Sequence, residues 1–257
     1  MRQRPDESPS PTASRAAVWL VADLRTVEEQ LALDEALLEE AHEGVVRQTV
    51  VRTWMAAEPT VVLGSSSRTA AEVDLDACRR LGVRVLRRPS GGLTVVLGPG
   101  CLMWTVVTHH PVAPPAIESI HAATLEPLAA ALRAAGRPVG RRGTSDLAVL
   151  AEAGERKVAG NALRVRRHGV LYHGTLLDRF DIGLVGTVLR HPPREPDYRG
   201  RRLHGAFLAN LDLGRDVLDA AVRTAFGAVG ERPTWPEDRV RRLVRDRYAD
   251  AEWTHRV

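Results

Sequence analysis

Lysine is nearly missing from this sequence. Among 36 lysine and arginine residues, Lys157 is the single lysine. A coding bias toward arginine accounts for that skew on solvated surfaces, but the two side chains differ at a chemical site. Lysine is a compact ammonium with rotatable donors, whereas arginine is a planar fork that stays charged. A site needing a small point charge against a developing oxyanion does not readily accept arginine, so Lys157 is a candidate catalytic residue. Cysteine is scarce too: Cys78 and Cys101 are the only two, which excludes a disulfide framework. Aromatic residues make up 4% of the chain against 44% hydrophobic residues overall, so the core is built mainly from Val, Leu and Ala. No aromatics interleave with the arginines to make a base-stacking platform, and nucleic acid is not an expected partner despite a net charge of +4. No apolar run approaches the ~18 residues of a membrane span, so no membrane association is expected. Asp6, Glu7 and several prolines precede a short apolar stretch at 16–22. That pattern is not a signal peptide, and the expected location is the cytoplasm.

Residues 1–15, rich in Pro, Ser and Arg, read as a disordered tail. Apolar spacing predicts a helix over 27–42, with Leu31, Leu33, Ala36, Leu37 and Leu38 in its buried stripe. Strands are predicted at 45–55 and 61–63 about Glu58-Pro59. One helix over 69–81 is expected to stop at Gly82. Strands at 83–87, 93–97 and 102–108 come next, then a helix over 117–135. Three strands follow at 146–151, 156–165 and 169–177, turning at 152–154 and 167–169. The remainder reads as mostly helical, with Pro-rich connections. Neighbouring strands joined by tight turns imply an α+β fold whose largely antiparallel sheet is flanked by helices. The expected layout is a main domain over 16–230 and a helical extension over 231–257.

Two groups of residues can carry chemistry. Arg87-Arg88-Pro89-Ser90-Gly91-Gly92 follows a strand, and its glycines let backbone amides approach an anion closely. The arginines add charge suited to carboxylate or phosphate; a tight turn flanked by exposed arginines would look the same. In the second group, alternation along a strand places Lys157, Ala159 and Asn161 on one face. His173 and Thr175 share a face of the next strand, with Gly174 between them. Asp146 begins the preceding strand, within reach of Lys157 or of a metal ion. Cys101 follows a Gly-rich turn, where a thioester nucleophile is conceivable but a buried structural cysteine is commoner.

With these motifs in order, the chain resembles the lipoate–protein ligase and lipoyl/octanoyl transferase family, whose catalytic fold is shared with biotin protein ligases. The resemblance rests on Arg87-Arg88-Pro89-Ser90-Gly91-Gly92, Ser145-Asp146-Leu147, the run from Glu155 to Ala162, and Tyr172-His173-Gly174-Thr175-Leu176-Leu177. It implies a class II synthetase-like α+β domain and a two-step reaction. Lipoate, or a related acid such as octanoate, would react with ATP-Mg2+ to give an acyl-adenylate. The acyl group would then pass to a lysine of a lipoyl carrier domain, of the 2-oxoacid dehydrogenase E2 or glycine cleavage H protein type. Matched by position, Lys157 is the catalytic lysine. Arg87, Arg88, Ser90, Gly91 and Gly92 would line the acyl-adenylate pocket. Asp146, Gly160, Asn161, His173, Gly174 and Thr175 would surround the adenylate, Asp146 also serving as a place for the magnesium carried by ATP. The chain departs from the family at Leu93, where a third glycine is usual, and at Leu97, where His or Gln is usual. It has no room for a long C-terminal accessory domain, which a separate accessory chain would then supply. The cysteine used by octanoyl transferases is not matched near Asp146. Octanoyl transfer from an acyl carrier protein through Cys101, and a silent acyl-binding protein, remain as alternatives.

Overall fold

The computed structural model describes residues 16–150 and 154–257, so the reading of the tail at 1–15 and most of the turn at 152–154 lie outside the described residues. In chain order the strands are β1 Ala17–Leu20, β2 Val50–Met55, β3 Thr60–Leu63, β4 Arg84–Arg87, β5 Val95–Leu97, β6 Cys101–His109, β7 Val139–Arg142, β8 Asp146–Val149, β9 Arg156–Arg166, β10 Gly169–Leu177 and β11 Ala228–Arg232. The helices are α1 Val27–Glu43, α2 Thr69–Glu72, α3 Leu75–Leu81, α4 Ile117–Ala134, α5 Ile182–Val188, α6 His204–Phe207, α7 Arg215–Phe226, α8 Glu237–Leu243 and α9 Ala251–His255. Eight strands make one sheet in the order β11-β1-β2-β6-β10-β9-β8-β7, and β4-β3-β5 make a smaller one. In the large sheet β1 runs parallel to both its neighbours, and the other pairs are antiparallel. The fold is therefore α+β with a mixed sheet, as the tight turns imply.

Helix α1 begins where Thr26 accepts from the Glu29 amide while Glu29 reaches back to the Thr26 amide, and it ends at Gly44 in the left-handed conformation. That capping box and αL stop fix both ends. Its stripe buries against β6 and β10 and joins the small sheet in one core. Helices α4 and α7 cover the opposite face with a second core around Trp104, Leu128 and Leu218.

The structure differs from the sequence reading in several places. The strand expected at 45–55 starts at Val50. The single helix expected over 69–81 breaks at Val73, which is extended and bridges to Leu189, and Asp74 then caps a new helix by accepting from the Ala77 amide. Strand β7 went unread because it is short and rich in arginine and glycine. Strand β11 went unread because its Val229, Gly230 and Glu231 are exposed, leaving no alternating pattern. The boundary drawn after residue 230 falls inside β11, which pairs with β1.

Candidate active site

Strand β9 carries one extra residue. Leu147 pairs with Ala159 and Ala148 with Lys157, so Val158 bulges. Val158 and Ala159 both enter the core under α4 and α7, which turns Lys157 to the other face beside Gly160 and Ala162. The expected common face for Lys157, Ala159 and Asn161 is thereby corrected: a bulge shifts alternation by one position. A Cβ on Gly160 would stand 3.0 Å from Lys157 Cε and Nζ, so glycine makes room for the ammonium. Asn161 pairs with Gly174, whose added Cβ would lie 1.8 Å from Asn161 Oδ1. The Asn161 amide thus shares the face of Gly174, away from Lys157, and donates to the Ser145 carbonyl at 2.7 Å.

Lys157 and Asp146 do meet. Nζ lies 2.7 Å from Asp146 Oδ1, and the Tyr198 hydroxyl donates to Oδ2 at 2.9 Å. Burial, then the Asp146 charge, push the Tyr198 phenol far above its ordinary value, so it remains a donor. Each Asp146 oxygen thus takes one protein donor. Among the described residues no cluster of three His, Cys, Asp or Glu side chains could hold an ion. A magnesium ion accompanying a nucleotide rests largely on its phosphates.

These groups border a cavity of about 380 Å³, whose apolar wall includes Leu31, Val62, Leu97 and Met103. A second, smaller cavity of about 130 Å³ lies among Phe180, Leu189, Phe207 and Leu208. Lys157, Gly160 and Thr175 border both. Leu93 lines the first cavity with an ordinary negative φ, so its backbone needs no glycine. Leu97 is fully buried in the wall.

The Arg87–Gly92 run divides. Arg88, Gly92 and His173 line the larger cavity, together with Asp146, Asn161 and Gly174. Arg87 does not: it has no exposed surface and donates to the carbonyls of Gly64, Ser67 and Thr254. Gly91 faces a neighbouring groove instead. Arg88 ties the loop down, donating to Val62, Gly91 and Leu93 carbonyls and to Ser90 Oγ. Burial lowers its guanidinium to about 10, which leaves it charged at neutral pH.

Sequence reading missed Asp34. On α1 it sits fully buried in the apolar stripe, accepts from Thr105 Oγ1 at 3.0 Å, and lies 3.5 Å from the Arg52 guanidinium. Its Oδ2 is 2.8 Å from His173 Nδ1, and His173 Nε2 is 2.6 Å from Ser90 Oγ. With the ring proton facing Asp34, Nε2 accepts the Ser90 hydroxyl proton. This order matches a nucleophilic triad, but Ser90 has no exposed surface and Arg88 Nε already donates to its oxygen. The chain of bonds instead holds the 88–93 loop against the sheet. An acid set between the apolar runs Leu31–Leu33 and Ala36–Leu38 was the available signal.

Among the described residues no thiol borders either cavity. Cys101 is fully buried in β6, where burial raises its thiol to about 12, and Cys78 is buried on α3.

An ion-paired lysine at an apolar cavity, on a mixed sheet with a Gly-rich anchoring loop, defines an enzyme of the acyl ligase and acyltransferase class. The profile of the lipoyl protein ligase A/B catalytic domain matches residues 26–227. An octanoyltransferase LipM of Carboxydothermus hydrogenoformans is 30% identical over 257 residues, covering 89% of this chain and 94% of that protein. The fold is that of the bipartite lipoate protein ligase of Thermoplasma acidophilum, with a TM-score of 0.80 at 22% identity over 93% of this chain and 96% of that one. It is likewise that of a lipoate-protein ligase A bound with ATP, with a TM-score of 0.77 at 23% identity over 93% and 98%. The chain belongs to the lipoyl protein ligase A/B catalytic-domain family.

Proposed function

We propose that this enzyme activates lipoate, or a medium-chain acid such as octanoate, with ATP and passes the acyl group to a lysine of a lipoyl carrier domain. One observation carries the reading: Lys157 stands where two apolar cavities meet, paired to Asp146, with no thiol among the described residues that line either cavity. The larger cavity suits the acyl tail and the smaller one a flat purine. An acyl-adenylate joins these parts through a carbonyl and a phosphate, which would both lie at the ammonium.

In the first step a carboxylate oxygen of the acid attacks the α-phosphorus and pyrophosphate leaves. In the second the carrier's amine attacks the carbonyl carbon and AMP leaves. Charge builds on phosphate oxygens and then on the carbonyl oxygen, and Lys157 neutralises both. A donor of this kind contributes ~3 kcal/mol or more to the transition state. Asp146 orients the ammonium from 2.7 Å, and Tyr198 keeps Asp146 in place. Carriers of the 2-oxoacid dehydrogenase E2 and glycine cleavage H protein types are the proposed acceptors, and magnesium is proposed to enter with ATP. The likeness to a bipartite ligase leaves a separate accessory chain among the proposed partners.

A second reading has support from the relatives named octanoyltransferase: transfer of an octanoyl group from a carrier-protein thioester without ATP. The buried cysteines weigh against a covalent thioester route. Acid-dependent ATP–pyrophosphate exchange separates the readings. The ligase shows exchange with lipoate or octanoate. Transfer from octanoyl carrier protein without exchange would establish the second reading, and neither activity would point to a silent binding protein.

A further inference from the structure

Residues beyond the family-matched segment, which ends at 227, fold back onto the loop that walls the site. Helix α8 and the helical turn Val244–Tyr248 pack on α1. Tyr248 is buried there and donates to Glu35 Oε2 at 2.7 Å. Helix α9 then reaches β4, where two hydrogen bonds clasp one residue from both ends. The Trp253 indole donates to the Arg87 carbonyl at 3.0 Å, and Arg87 Nε donates to the Thr254 carbonyl at 2.9 Å. Arg256 adds a bond to the Ser65 carbonyl at 3.0 Å.

The clasped residue also braces the loop at 64–67. From the same guanidinium, Nη1 donates to the Gly64 and Ser67 carbonyls at 2.7 and 2.8 Å. The loop at 64–67 holds the 88–93 loop directly, the Ser65 amide donating to the Ser90 carbonyl at 2.8 Å. The next residue, Arg88, binds the Gly91 and Leu93 carbonyls. Among the described residues Arg87 has no carboxylate as a hydrogen-bond partner, and its Nη2 has no partner at all. Burying a guanidinium against carbonyls alone is an unfavourable way to gain stability. The arrangement makes sense as a fixture that sets the position of the adjoining 88–93 loop.

We infer that α9 is a built-in positioning element for the 88–93 loop, acting through Arg87, with Trp253 as its positioning residue. The catalytic consequence rests on the reaction proposed above; the structural one does not. Trp253→Phe keeps the ring between Arg247 and Arg256 and removes the donor. The measurements are amide hydrogen exchange at 90–93, melting temperature, and the KM and kcat of acid-dependent ATP–pyrophosphate exchange. We expect faster amide exchange at 90–93 with β10 unchanged, and a rise in KM for the acid of about 5- to 10-fold, the size of one lost hydrogen bond. Melting temperature should fall by no more than a few degrees. Deleting residues 251–257, which leaves Val240 and Tyr248 in the core, should enlarge the same pattern. A lower melting temperature with wild-type protection at 90–93 in both variants would overturn the inference. Because protection is read without turnover, a protein with no exchange activity would defeat the proposed reaction and leave this test intact.

Discussion

Exchanging Lys157 for arginine keeps the charge but turns a point into a plane. A planar fork cannot hold the single point at which Nζ stands 2.7 Å from Asp146 Oδ1. Lys157→Arg should therefore lower the ATP–pyrophosphate exchange rate by ~10²-fold or more with an unchanged melting temperature. Cys101→Ser should leave the rate per folded molecule near wild type, since its thiol is fully buried and kept protonated. An active Lys157→Arg beside a folded but inactive Cys101→Ser would reverse these assignments. At this scale the sequence was informative where a residue type was rare: one lysine among the cations singled out Lys157. It misled where a neighbour decided the outcome. Arg87 and Arg88 look alike in sequence, yet strand alternation sends one to α9 and the other to the cavity.

Among elements, the 64–67 loop meets the 88–93 loop backbone to backbone. A Cβ on Gly64 would stand 1.9 Å from the Gly92 carbonyl oxygen, backbone that cannot turn aside. Gly64→Ala should displace the 90–92 segment, and displacements near 1 Å at a reacting site reduce rates on the order of 10²-fold. Steady-state exchange kinetics and a melting curve check this; a variant with wild-type kinetics would show that the loops do not need to meet. Gly64 was not legible, since its requirement comes from a residue 28 positions away. The same holds for the bulge at Val158, which depends on the pairing of β8 with β9. Long strands and helices with strong periodicity, such as α1, β6 and β10, were legible. Short edge strands with one partner, β7 and β11, were not.

The molecule as a whole should weaken in mild acid. Burial holds the imidazoles of His110, His121 and His204 below their ordinary value; the His109 charge adds to this at His110, and the Arg141 charge at His121. Below pH 6.5 the unfolded chain binds protons that the folded one resists, so stability falls as pH drops through that window. Melting temperature should decline from about pH 7.5 to about pH 5.5, ahead of ordinary carboxylate titration. A flat or rising profile would mean these rings are not held neutral by the fold. The α+β architecture was legible because tight turns between strong strands leave few alternatives. The return of 237–256 onto the site was not, because nothing in that helical sequence names its docking surface.

Acid-dependent ATP–pyrophosphate exchange tests the central claim most directly, since it reads adenylation without a carrier protein. The account predicts exchange with lipoate or octanoate that needs ATP and is lost in Lys157→Arg. Absence of exchange with either acid, in a folded wild-type protein that still moves an octanoyl group from its carrier-protein thioester to a lipoyl domain, would contradict it.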